Sequence, residues 1–76
     1  MSLFQMIEEL MVRSGRALTV RDVKGGLRVM FAVRIRQSEL RRFFFANQGS
    51  FGRRRDSYQI DQNARDERLV AELMAA

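Results

Sequence analysis

The sequence predicts an α+β fold, a two-layer unit in which helices flank a β-hairpin. Three observations carry it. Residues 27–36 alternate, with Leu27, Val29, Phe31, Val33 and Ile35 on one face and Arg28, Met30, Ala32, Arg34 and Arg36 on the other. A period of two marks a half-buried strand. Gly25-Gly26 stands before that run, where a two-residue hairpin turn needs residues that accept positive φ. Apolar residues at helical spacing lie on both sides of it.

The first helix starts at Ser2, a capping residue with Gln5 placed to complete a capping box. Leu3, Ile7 and Leu10 form its apolar stripe, and Gly15 is the stop, since glycine is favoured just past a helix end. The hairpin is expected over Ala17–Arg36. In that register Lys24 pairs with Leu27, Val20 with Phe31 and Leu18 with Val33, so the apolar faces coincide. Ser38 reads as the N-cap of a second helix with Glu39 in its first turn and Leu40, Phe43 and Phe44 on one face. The expected core is Leu3, Ile7, Leu10, Leu18, Val20, Val29, Phe31, Val33, Leu40, Phe43 and Phe44. An α-β-β-α domain over 1–48 is then followed by an extension over 49–76. It comprises a basic loop at 49–57, a short extended piece at Tyr58 and Ile60, and a helix at 64–75.

Composition narrows the function. Seventy-six residues make one small domain with a thin core. The chain has neither cysteine nor histidine, which removes disulfides, thiolate chemistry, the commonest general base and the commonest metal ligand. No apolar run reaches the roughly 18 residues of a membrane span, so the protein is expected to be soluble and not secreted. Net charge is +5, unevenly spread. Between Arg13 and Arg55 there are eleven arginines and Lys24 against Asp22 and Glu39, whereas four acids face two arginines from Asp61 onward. A basic middle points to a polyanion or an acidic protein partner.

No catalytic constellation is present. The serines lack a histidine, Glu8 and Glu9 read as a solvated helix face, and Gly25-Gly26 lacks the repeat of a phosphate loop. The sequence therefore predicts no enzyme, no cofactor and no metal site. Arg21, Arg28, Arg34 and Arg36 have two readings: the solvated side of the hairpin, or a face that grips phosphates or acids through the guanidinium fork. Arg53, Arg54 and Arg55 have the same two. Adjacent arginines repel each other, which favours a site where phosphate neutralises them. No aromatic residue interleaves these arginines as base stacking requires. Phe45 leaves the stripe of Leu40, Phe43 and Phe44. With Phe51, Tyr58 and Ile60 it either buries beneath the C-terminal segment or forms a protein interface, together with Leu69, Val70, Leu73 and Met74 of the last helix.

The order helix, hairpin, helix, arginine-rich loop resembles the head-completion (W-type) proteins of lambda-like tailed phages. The likeness rests on Ile7-Glu8-Glu9-Leu10-Met11, on Arg16 to Val20, and on the Gly25-Gly26 turn. It continues through Leu27-Arg28-Val29-Met30-Phe31, Ser38-Glu39-Leu40-Arg41-Arg42 and Arg53-Arg54-Arg55, about two thirds of the chain. Here the hairpin is longer and the second helix shorter than in that family, and the C-terminal helix has no counterpart. The resemblance implies a structural neck protein that docks as a ring on the portal of the filled head, in the host cytoplasm first and the virion thereafter. It would form the platform for the next neck (stopper) protein and the tail, and touch packaged DNA without reading its sequence. Two other expectations stand beside it: a small basic nucleic-acid-binding regulator, and a phage-encoded inhibitor of a host protein.

Overall fold

A computed structural model describes residues 1–75. In chain order the elements are α1 (Leu3–Ser14), β1 (Leu18–Thr19), α2 (Val20–Phe31), α3 (Gln37–Ala46), β2 (Phe51–Arg54), β3 (Ser57–Ile60) and α4 (Gln62–Ala75). The fold is α+β, with helices flanking a β-hairpin. The three strands form one antiparallel sheet in the order β1-β3-β2.

The hairpin is not where alternation placed it. Of Ala17–Arg36, only Leu18 and Thr19 are strand, and Val20 to Phe31 is helix. The physical reason is that Leu27 and Phe31, four apart, satisfy a helical period as well as a period of two. Val23 and Leu27 supply the buried stripe of α2, while Val29, expected in the core, is 84% exposed. A reciprocal cap starts the helix: Asp22 N donates to Thr19 Oγ1 at 3.0 Å, and Thr19 N donates to Asp22 Oδ2 at 3.1 Å. Ala32 closes it in the left-handed region at φ 54°, its N–H donating to the Arg28 carbonyl while Val33 N donates to that of Leu27. Gly25 and Gly26 sit inside α2 rather than in a turn. Gly26 has a packing role, because a Cβ there would lie 2.9 Å from Leu10 Cδ2.

Helix α1 behaves as its sequence predicts. Ser2 and Gln5 form the capping box, and Gly15 ends the helix at φ 63°. Helix α3 begins earlier than expected, with Arg36 at the N-cap and no side-chain cap, so Ser38 lies in its first turn. The basic loop expected at 49–57 is largely strand. Phe51–Arg54 forms β2, paired with β3 from Phe51↔Ile60 to Arg54↔Ser57, with Arg55 at φ 60° in the turn. β3 also pairs with β1, Leu18 opposite Tyr58 and Thr19 opposite Ser57, in place of the expected Leu18–Val33 pairing. Residues 57 and 58 are thus paired with the N-terminal half. Helix α4 begins at Gln62, two residues before the expected 64, and Asp61 Oδ1 accepts from Ala64 N.

The core is Ile7, Leu10, Met11, Leu18, Val23, Leu27, Leu40, Phe44 and Phe51. Leu3, Val20, Phe31, Val33 and Phe43, also expected there, pack against it half-buried. Phe51 has two readings from the sequence, burial beneath the C-terminal segment or a protein interface. It is 3% exposed, held edge-on by Phe44 at 5.5 Å and next to Phe4 and Phe43. The first residue of β2 faces the helices, which is why it is buried. Tyr58 stacks on Phe44 at 4.0 Å, and this stack fixes the hairpin against α3.

Helix α4 is attached differently. It has no buried residue. Its link to α1 is polar: Arg68 Nη2 donates to Glu8 Oε2 at 2.8 Å, Arg65 lies 3.7 Å from the other carboxylate oxygen, and the Arg68 guanidinium covers the Phe4 ring at 4.6 Å.

Candidate functional site

Helices α2 and α3 follow one another across residues 32–36, and the hairpin returns beside α3. Two open grooves run along this side. One lies between α3 and the hairpin and carries Arg21, Arg41 and Arg53 with Gln37, Phe45 and Gln48. The other lies along α2 and the turn and carries Arg21, Lys24, Arg28, Arg34 and Arg36. Arg21 and Gln37 line both, so the grooves form one band. It holds seven cations against Glu39 and Asp56.

None of those seven is in a salt bridge among the described residues. The arginines that are paired lie elsewhere: Arg13 with Glu9, Arg16 with Asp22, and Arg65 and Arg68 with Glu8. Within the band, Arg41 meets Gln37 at 3.4 Å, and Arg53 Nε donates to the Arg55 carbonyl at 2.8 Å. The Arg53 guanidinium also stands 6.0 Å from the Tyr58 ring centroid. A strip of like charges left unpaired repels itself and is relieved by an anion that spans it.

Arg21, Arg28, Arg34 and Arg36 were expected to share one strand face. They do share one surface, by another route. Arg21 and Arg28 stand on the outer side of α2, and Arg34 and Arg36 project from the turn that follows. Arg53 lines the groove beside α3; Arg54 and Arg55 are exposed at the end of the hairpin. Lys24 and Arg41 join the band as well. For Lys24 the signal is positional: on a helical α2, residues 21, 24 and 28 fall on one face.

The apolar candidates divide. Phe45 is 76% exposed on α3. Tyr58 and Ile60 are half-buried against the core and Phe51 is inside it; Phe51 and Tyr58 nevertheless line the same groove as Phe45, and Ile60 lies outside it. Leu69, Val70, Leu73 and Met74 are exposed along α4, from 42% at Leu69 to 84% at Met74.

No group of three or more histidine, cysteine, aspartate or glutamate side chains that could hold a metal exists among the described residues. No described helix is long and apolar enough to cross a membrane. The Thr19 backbone hydrogen bond holds the Asp22 carboxyl below the usual carboxylate range, with Arg16 3.5 Å away acting in the same direction.

No family model, curated protein or solved structure matches this chain.

Proposed function

We propose that the chain binds duplex DNA as a helix-turn-helix module with a hairpin wing. The observation that carries this reading is the unpaired cationic band shared by α2, the turn, α3 and the hairpin. The chain path supports it by analogy of fold: α1-β1-α2-α3-β2-β3, with sheet order β1-β3-β2, is the path of a winged helix. In such a module the second helix of the pair enters the major groove. Here that helix is α3, whose groove-lining side carries Gln37, Arg41 and Phe45, with Gln48 just past its end. Arginine pairs with the acceptors of guanine and glutamine with those of adenine, so the face can distinguish bases. Arg53, Arg54 and Arg55 would meet the neighbouring backbone from the wing, and Arg21, Lys24, Arg28, Arg34 and Arg36 the phosphates beside α2.

The test is a titration of fluorescent duplex with the whole chain, read by anisotropy across a salt series. Neutralising about five to eight phosphates sets a log–log salt slope of roughly −4.5 to −7. Arg54→Ala and Arg21→Ala should each flatten it by about one. A chain that leaves duplex unbound at about 50 mM salt refutes the reading.

The portal-adaptor reading has one supporting observation, the exposed stripe of Leu69, Val70, Leu73 and Met74 on α4, which a neighbouring subunit or a portal could cover. The strand pattern that carried its family likeness is helix α2 in the structure. It predicts a ring on purified portals or filled heads, with the cationic band toward packaged DNA and the stopper protein seated on top. Mass measurement of the mixed components tests it. No mass gain rejects it.

A further inference from the structure

We infer that Phe45 reads the methyl group of thymine, an inference that rests on the DNA-binding reading above. Three consecutive phenylalanines occupy α3, and two have structural work. Phe44 is buried and stacked on Tyr58, and Phe43 packs against the core beside Phe4 and Phe51. Phe45 does neither. It is 76% exposed and lines the groove between α3 and the hairpin.

Its neighbours identify what it meets. On the helix surface the residues three and four positions away are adjacent, so Phe45 has Arg41 and Arg42 beside it on α3, and Gln48, just past the end of the helix, lines the same groove. All three are exposed. Among the large hydrophobic side chains of α3, Phe45 alone stands exposed, and Arg21, Arg41 and Arg53 line the groove with it, together with Val20, Tyr58 and the nearly buried rings of Phe44 and Phe51. With α3 in the major groove, an exposed ring on that helix meets a floor of guanine O6 and N7, adenine N7 and thymine O4, where the one apolar group is the thymine C5-methyl. RNA offers no such match, since uracil lacks the methyl and the A-form major groove is too narrow for a helix. Phe45 is thus a specificity residue. The arginines beside it supply affinity.

The experiment selects a preferred duplex from a random-sequence pool with the whole chain. Its affinity is then compared with that of the same duplex carrying 2′-deoxyuridine at every thymidine, a change that deletes methyl groups alone. The wild-type chain should bind the deoxyuridine duplex about fourfold more weakly for each methyl covered. Phe45→Ala should bind both duplexes equally, at an unchanged melting temperature because the side chain is exposed. A wild-type chain indifferent to the substitution overturns the inference. So does a Phe45→Ala chain that still discriminates, and so does a pool that is bound without enriching a sequence. Failure to bind any duplex overturns the DNA-binding reading itself, and this one with it.

Discussion

Substituting Gly25 and Gly26 separately by alanine distinguishes a helix from a hairpin at the place where the sequence pattern and the structure part. In a two-residue hairpin turn both glycines take positive φ, and alanine would cost about 1–2 kcal/mol at either. In α2 the two positions are unequal. A Cβ at Gly25 meets nothing within 4 Å, and its φ is not positive. Gly25→Ala should therefore recover the helix-propensity difference, about 0.8–1 kcal/mol. At Gly26 the same gain is opposed by Leu10, whose Cδ2 and Cδ1 would lie 2.9 and 3.2 Å from the new methyl. Leu10 is 5% exposed and enclosed by the core, so moving it costs about 1–3 kcal/mol. Gly26→Ala should be neutral to about 2 kcal/mol less stable than wild type. Thermal melts followed at 222 nm read both. At about 4–8 °C per kcal/mol for a domain of this size, Gly25→Ala should melt several degrees higher and Gly26→Ala no higher than wild type. A fall in both variants by similar amounts would restore the turn and refute the helix.

Two other perturbations address the ends of the molecule. Asp22 titrates below the ordinary carboxyl range when folded, so its stabilising effect is complete above the unfolded pKa of about 3.9 and fades as pH falls through it toward the folded value. Urea midpoints of wild type and Asp22→Ala should accordingly differ at pH 7 and converge toward pH 3; a constant gap would contradict the capping role. Glu8→Gln removes the charge that holds Arg65 and Arg68, leaving partly buried guanidiniums short of a partner at a cost of about 1–3 kcal/mol. Hydrogen exchange should then speed up in α4 while α2 keeps its protection, and uniform loss of protection would show instead that α4 is integral to the core.

What the sequence revealed follows from where its signals were unambiguous. Ser2 with Gln5, and Gly15, define α1 because a capping box and a glycine stop have no strand counterpart. The run 27–36 was ambiguous. Five alternate apolar residues made a strand plausible, and the deciding signal was the short capping pair Thr19 and Asp22, which opens a helix into which Val20, Val23 and Leu27 fall at helical spacing. Phe51–Arg54 was hidden for the opposite reason: glycine and arginines read as loop, and only pairing with Ser57–Ile60, itself anchored on Leu18, makes a strand of them. Tertiary context overrode local preference there. The arginines of the candidate site were legible as a charge excess, but which of them lie together depended on α2 being a helix. Phe45 was legible as the odd member of its stripe, whereas the burial of Phe51 was not.

The pairing of Leu18 with Tyr58 has a consequence for the order in which the molecule assembles. The β2–β3 hairpin closes a two-residue turn and can zip locally, within microseconds. Joining it to β1 requires closing a loop of forty residues, which becomes favourable only after α2 and α3 have shortened the path between them. The helices therefore form first, and the sheet, with its central strand last in sequence, is the closing step. Substitutions between α1 and α2, such as Leu27→Ala, should slow folding, while Tyr58→Ala should mainly speed unfolding, a partition that stopped-flow chevrons separate. Equal effects on both limbs at both positions would contradict that order.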